Sequence, residues 1–232
     1  MCYSNSSEGV KSLVESLAFH NAKGQAKTLV GDVALIQIQQ PAPLFSAEAA
    51  LPGGEIGTIN LADYRGQYVI LFFYPLDFTF VCPTEIHAFS DQIDAFRQRN
   101  CVVLGASVDS VHAHLTWLRM SRKEGGIAGT PYPLIADLDK QIARDYGVLL
   151  DKPAVALRAV CLIDREGIVR SMMVNDLSLG RSVDEVLRLL DALQFSEESG
   201  NVCPANWHRG DPLMEATLEG VRDYASQHAP DA

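Results

Sequence analysis

The stretch that decides the fold is FFYPLDFTFVCPTEIHAF, residues 72–89. Its apolar start predicts a buried strand, which ends at Pro75 because proline has no N–H to give to a strand ladder. After a short connection Cys82 precedes Pro83, and apolar side chains then recur at helical spacing up to residue 96. The sequence therefore predicts a strand–loop–helix unit that places Cys82 at the corner, where water reaches it.

Strands and helices alternate around this unit from about residue 34. The apolar runs at 68–74 and 101–108 predict buried strands, and residues 110–120 predict a helix directly after the second of them. Residues 159–164 and 168–174 flank a Gly-containing turn, which predicts a hairpin. Ser182 and Glu185 form a capping box for a further helix. This order is typical of an α/β fold with a mixed central sheet flanked by helices.

The chain is expected to have three segments. Residues 1–33 read as a partly ordered N-terminal extension, where apolar spacing over residues 10–17 also allows a short amphipathic helix. Residues 34–195 carry the alternating pattern and form the core domain. Residues 196–232 read as a polar C-terminal arm with at most one short helix, near residues 215–226.

Composition and charge exclude several function classes. The 232 residues carry a formal net charge of −10, which argues against a nucleic-acid partner because such binding rests on clustered Lys and Arg. No apolar run approaches the roughly 18 residues of a membrane span. The N-terminus lacks the features of a secretory signal or an Arg-rich transit peptide, so a cytoplasmic location is the expectation.

No metal or nucleotide site is predicted. The chain has neither HExxH, a P-loop nor GxGxxG. His112 and His114 are two positions apart on a predicted helix, so they point to different faces and cannot share a metal. His87 lies more than a helical turn beyond Cys82 and reads as a solvated side chain rather than a base.

The cysteines differ in their surroundings. An odd number, five, without a CxxC pair is not a secreted disulfide framework. Cys101 and Cys161 lie in apolar strands and read as small core residues. Cys82 lies at a helix start, where unpaired N–H groups stabilise a thiolate, so a reactive thiol and a structural residue both remain open. Cys203 lies in the polar arm, and an exposed thiol there suggests chemical use.

Two separated motifs resemble one known family. Pro75, Thr79 and Cys82 match the pattern Pro-x-x-x-Thr/Ser-x-x-Cys, and VCPANW at 202–207 looks like a resolving-cysteine segment. NDLSLGRSVDEVLRLL at 175–190 looks like the sequence that precedes the last core helix of that family. Over about residues 35–210 the chain is similar to the typical 2-Cys peroxiredoxins of the alkyl hydroperoxide reductase type.

The resemblance implies a thioredoxin-like core, followed by a C-terminal arm that carries the resolving cysteine. It also assigns a role to six positions. These are Cys82 as the peroxidatic cysteine, Thr79 as the hydroxyl that bonds thiolate and peroxide, Pro75 as the ring that shields the thiolate, Arg158 as the active-site arginine, Glu85 as the carboxylate that holds that arginine, and Cys203 as the resolving cysteine.

The implied activity is that of a thiol-dependent peroxidase that works without a metal or other cofactor. Hydrogen peroxide and organic hydroperoxides would be reduced through a sulfenic acid and an intersubunit disulfide. A thioredoxin-like protein or a flavoprotein reductase would reduce this disulfide again. The assembly would be a homodimer or a decamer. Two alternatives are a thiol–disulfide oxidoreductase, against which the missing CxxC argues, and a redox-regulated chaperone or signalling scaffold on the same oligomer.

Overall fold

The computed structural model describes residues 18–20, 26–28 and 37–228. The chain divides into two compact units, Met1–Ala34 and Leu35–Ala232. In the first unit, strands β1 (Ala18–His20) and β2 (Ala26–Thr28) pair antiparallel. The helix considered for residues 10–17 lies outside the described residues. The division into three segments stays a prediction.

The second unit is built on a seven-stranded mixed sheet with the order β4-β3-β7-β6-β5-β8-β9. Strand β6 pairs in parallel with β5 and with β7, whereas the other neighbours are antiparallel. The predicted α/β class with a mixed central sheet is therefore confirmed. The strands are β3 (Ser46–Ala50), β4 (Ile56–Asn60), β5 (Tyr68–Phe73), β6 (Cys101–Ser107), β7 (Leu134–Ala136), β8 (Arg158–Ile163) and β9 (Val169–Asn175).

Six α-helices flank or follow this sheet in the described part of the chain. They are α1 (Cys82–Asp91), α2 (Ile93–Gln98), α3 (Val111–Arg119), α4 (Gln141–Asp145), α5 (Val183–Ser199) and α6 (Leu218–His228). The single apolar stripe over residues 86–96 falls on two helices because the backbone of Gln92 leaves the helical region (φ −101°, ψ 9°). Within the described residues, no helix combines the length and apolar character needed to cross a membrane.

Helix α5 runs past the expected end of the core domain at residue 195. It ends where Gly200 adopts a left-handed conformation (φ 71°) and its N–H bonds the carbonyl of Ser196. Glycine takes this conformation without the steric cost of a Cβ, which is why it ends helices so often. The periodicity fades at residue 195 while the backbone stays helical for one further turn.

Strand β5 divides the core into two layers. All six of its residues are buried, as the apolar run predicted. Alternate side chains point to opposite faces: Leu71 and Phe73 join one core cluster, and Ile70 and Phe72 join the other. The ring of Phe72 stacks on Phe89 of α1 with centroids 4.5 Å apart. This packing holds α1 against β5.

Helix α5 begins with one half of the capping box that the sequence predicts. The hydroxyl of Ser182 accepts the N–H of Glu185 at 3.3 Å, whereas the Glu185 carboxylate pairs with Arg188 at 2.6 Å instead of completing the box.

Losing a serine cap typically costs about 1 kcal/mol. We expect Ser182→Ala to lower the free energy of unfolding in urea by about that amount. Ser226→Ala, on exposed α6, is the control, and an equal loss there would contradict the cap.

Candidate active site

Cys82 is the first residue of α1 and lies where β5 has ended. Its side chain has 0% of its surface exposed, because it packs into the core cluster with Ile86 and Phe89. The predicted corner position is therefore confirmed, but the expectation that water reaches this cysteine was wrong. Sequence spacing places the residue along the chain, and the covering groups come from elsewhere in the fold.

Thr79 contacts the sulfur from the loop that precedes α1. Its Oγ1 lies 2.9 Å from Cys82 Sγ and 2.8 Å from the carbonyl oxygen of Leu76. The hydroxyl has one hydrogen and two acceptors, and an anionic sulfur competes for it better than a neutral carbonyl. Pro75, at the start of the same loop, is buried. The structure thus brings Thr79 to the sulfur, and the shielding role of Pro75 stays a prediction.

Arg158 reaches the sulfur from the first position of β8. Antiparallel pairing of β8 with β5 sets Ala159 opposite Phe73, which brings Arg158 to the end of β5. Its Nη1 lies 3.4 Å from Cys82 Sγ and 2.6 Å from Glu85 Oε2. Burial alone would lower the pKa of Arg158, but the contacts with Cys82 and Glu85 outweigh it and the pKa is raised. The guanidinium therefore stays charged beside the sulfur.

Glu85 joins this arginine to a second one. The carboxylate lies in the first turn of α1 with 3% of its residue surface exposed, and its Oε1 accepts the backbone N–H of Arg181 at 3.0 Å and Nε at 2.7 Å. Arg181 also donates to the carbonyls of Phe73 and Ala159 at 2.6 and 2.7 Å. Two guanidinium groups and one carboxylate leave one positive charge to balance an anion at Cys82.

Sequence reasoning did not single out Arg181. Its side chain is fully buried, yet no periodicity or motif marks it, since it lies in the connection just before the cap of α5. The only available signal was its place inside the 175–190 segment that carries the family resemblance. Its role depends on the carbonyls of Phe73, at the end of β5, and of Ala159 in β8, which only the folded chain brings together.

Cys203 lies apart from this cluster in the described structure. Its half-buried thiol donates to the carbonyl of Ala192 on α5 at 3.3 Å, and burial raises its pKa. The arm around Cys203, predicted from sequence as polar and mostly irregular, is packed against the core. Trp207 is buried, its ring lies 5.4 Å from that of Phe195, and its carbonyl accepts from Arg188 at 3.0 Å. The arm around Cys203 is thus docked on α5.

The other candidates fall outside the cluster. Cys101 and Cys161 are buried, which raises the pKa of both thiols, that of Cys161 to about 12, and confirms their structural reading. His87 is half-buried, with Nε2 3.1 Å from the carbonyl of Gly126, so the solvated reading was wrong. Within the described residues, no group of three or more His, Cys, Asp or Glu side chains could hold a metal ion.

Comparison with protein-family models matches two parts of the chain. Residues 38–172 match the model described as the AhpC/TSA family. Residues 192–227 match the model described as the C-terminal domain of 1-Cys peroxiredoxin. The first match contains the whole cluster around Cys82 except Arg181, and the second contains Cys203.

Known relatives cover most of the chain. It is 51% identical over 191 residues to a peroxiredoxin of Cynops pyrrhogaster, covering 82% of this chain and 96% of that protein. It is 51% identical over 185 residues to a thioredoxin peroxidase of Echinococcus granulosus, covering 80% and 95%. The crystal structure of a reduced 2-Cys peroxiredoxin of Plasmodium vivax superposes with a TM-score of 0.80 at 48% identity, covering 82% and 98%. The thioredoxin-like fold is thereby confirmed, and the chain belongs to the AhpC/TSA family of peroxiredoxins.

Proposed function

We propose that the chain is a thiol-dependent peroxidase that reduces hydrogen peroxide and organic hydroperoxides, with Cys82 as the attacking thiolate. The observation that carries this proposal is the convergence of Arg158 Nη1 and Thr79 Oγ1 on one buried sulfur at a helix N-terminus. The family membership supports it, as do relatives named thioredoxin peroxidase and thioredoxin-dependent peroxide reductase.

The first chemical step uses each of these groups. The Cys82 thiolate attacks one peroxide oxygen, an S–O bond forms and the O–O bond breaks, so sulfur is oxidised and the peroxide is reduced. The electron pair goes to the departing oxygen, which takes up a proton and leaves as water or an alcohol. Arg158 and Thr79 are fixed donors placed where this negative charge develops, which lowers the barrier without reorganisation.

The second step requires a change of structure. The sulfenic acid at Cys82 condenses with the Cys203 thiol, an S–S bond forms and water leaves. Cys203 is 121 positions after Cys82 (203 − 82) and is docked on α5, so we assign it to the site of a partner subunit. The first turn of α1 must unwind for the sulfur to leave its buried position. A thioredoxin-like dithiol then reopens the disulfide by exchange.

A peroxide-consumption assay with a panel of reductants tests the function directly. The panel contains a thioredoxin, a flavoprotein disulfide reductase and a glutaredoxin, each with its own recycling system. We expect rapid consumption of hydrogen peroxide and of an organic hydroperoxide with the thioredoxin. An absence of consumption with every reductant, together with an unreacted Cys82 by mass spectrometry, would refute the peroxidase.

A homodimer, or a decamer of such dimers, belongs to the same proposal. The large apolar side chains that stay exposed include Phe78 (53%) and Phe80 (94%) before α1, and Val174 (46%) and Leu179 (59%) at and after the edge strand β9. A contiguous exposed apolar patch marks an interaction surface, and we propose that role for these two pairs of side chains. The proposed compartment is the cytoplasm, where reduced thiols persist. Sedimentation and cell fractionation test these two points.

The Cys203→Ser variant tests the intersubunit disulfide. After one equivalent of peroxide, we expect the parent protein to run as a disulfide-linked dimer on a non-reducing gel and the variant to run as a monomer, because the sulfenic acid has no resolving thiol. The rate of the first step should stay within about twofold, since Cys203 lies outside the cluster around Cys82. A monomeric parent band with an internal Cys82–Cys203 disulfide would contradict the pairing.

A further inference from the structure

A buried polar network lies at the base of the loop between β5 and α1. The Asp77 carboxylate, 1% exposed, accepts the Tyr74 hydroxyl at 2.9 Å and lies 2.7 Å from His114 Nδ1. The other ring nitrogen of His114 lies 3.2 Å from the carbonyl of Ile135 on β7. The imidazole is fully buried. The network thus ties Asp77 to Tyr74, which directly follows β5, and to α3 and β7. None of its side chains forms a hydrogen bond with the sulfur of Cys82.

The backbone of Asp77 is anchored as well. Its N–H donates to the Asp109 carboxylate at 2.7 Å, and the N–H of Asp109 donates to the Ser107 hydroxyl at 3.2 Å. Ser107 is the last residue of β6, so this second connection fixes the loop to the sheet. Burying so many polar groups is costly unless they are all paired, and a fully paired network is rigid.

The residue that follows Asp77 explains why such an anchor is needed. Phe78 has a left-handed backbone (φ 54°), which is uncommon for a bulky side chain and persists only where the surroundings impose it. The next residue is Thr79, whose hydroxyl lies 2.9 Å from Cys82 Sγ. The direction of the Thr79 hydroxyl is therefore set by the strained backbone at Phe78. The network holds Asp77, the residue immediately before Phe78.

We propose that Asp77, held by Tyr74 and His114, is a positioning residue that aims the Thr79 hydroxyl at the reacting sulfur. The inference rests on the proposed peroxidase function. It identifies the residue that anchors the loop between β5 and α1, which carries Thr79. Misplacing a catalytic group by about 1 Å is enough to slow a reaction by orders of magnitude. Asp77 thus acts on the rate through Thr79 alone, without touching peroxide or sulfur.

An asparagine at this position can keep every bond of the network. Its Oδ1 would accept from Tyr74, and its Nδ2 would donate to His114 Nδ1 while Nε2 donates to the Ile135 carbonyl. Alanine keeps none of these contacts. Asp77→Asn is therefore the conservative variant, and Tyr74→Phe removes a single bond. Tyr146→Phe is the matched control, because that buried hydroxyl donates to the Pro43 carbonyl at 3.0 Å, in the other core layer.

The test is a double-mutant cycle on the second-order rate of Cys82 oxidation by peroxide, followed by stopped flow. Asp77→Ala should lower the rate about tenfold or more, and Tyr74→Phe severalfold. In a Thr79→Val background both changes should cost less than about twofold, because the group they position is gone. Asp77→Asn and Tyr146→Phe should stay within about threefold of the parent.

Each outcome decides the proposal. Equal losses in the Thr79 and Thr79→Val backgrounds would assign Asp77 a purely structural role and overturn it. So would a loss in Asp77→Asn as large as in Asp77→Ala, because the bonds would then not be what matters. Should Asp77→Ala fail to fold, Tyr74→Phe decides by the same comparison. A parent protein that does not react with peroxide would refute the proposed function instead, so the two failures are distinguishable.

Discussion

Cys82→Ser is expected to lose peroxidase turnover completely, to the background of the buffer. A serine hydroxyl stays protonated near neutral pH, so Arg158 and Thr79 would face no anion that could attack the peroxide. The exchange of sulfur for oxygen nearly preserves the volume of this fully buried side chain, so the core around it should survive. The measurement is peroxide consumption with a thioredoxin system, with circular dichroism to check folding.

The other buried cysteines supply matched controls for this change. Cys101→Ala and Cys161→Ala remove thiols that are equally buried but lie in β6 and β8, and burial raises the pKa of both. We expect their turnover to stay within about twofold of the parent at a small cost in stability. Turnover that persists in Cys82→Ser, or that disappears in either control with the fold intact, would refute the assignment of the nucleophile.

Features that depend on neighbours in sequence could be predicted. Thr79 and Cys82 are three positions apart, so one loop brings the hydroxyl to the sulfur, although the role of Thr79 came from the family resemblance. The β5 run, the β8–β9 hairpin and the Ser182 cap are likewise local, and each was placed to within one or two residues. Strands β3, β4 and β7 and the short helix α4 were not predicted, because runs such as SAEAA and LIA carry too little periodicity.

Features that depend on strand pairing needed the structure or a resemblance. Arg158 is 76 positions from Cys82, and nothing in its own surroundings indicates a site. It reaches the sulfur because β8 pairs antiparallel with β5, and the family resemblance assigned its role before the pairing was known. Arg181 and Asp77 had no such assignment and were missed. The burial of Cys82 was missed for the same reason, since its covering groups come from β8 and the core.

Arg158→Ala is expected to slow the oxidation of Cys82 by peroxide about a hundredfold or more. The variant removes the guanidinium that lies 3.4 Å from the sulfur, where the charge of the departing oxygen develops. It should affect folding less, because Glu85 keeps Arg181 as a partner and no carboxylate is left unpaired. Stopped-flow oxidation and urea unfolding, measured on the same preparation, separate the two effects.

The geometry of the guanidinium matters as well as its charge. Its Nη1 contacts both Cys82 and Glu85 while Nε holds the carbonyl of Leu177 at 2.6 Å, and the compact ammonium of a lysine cannot reproduce this fork. We therefore expect Arg158→Lys to recover only part of the rate. Arg170 lies on the neighbouring strand β9 and pairs with Asp164 and Glu197. Arg170→Ala breaks these ion pairs and should leave the rate unchanged. If Arg158→Ala reacts as fast as the parent while folded, the arginine does not stabilise the departing oxygen, and Thr79 and the helix start must do so.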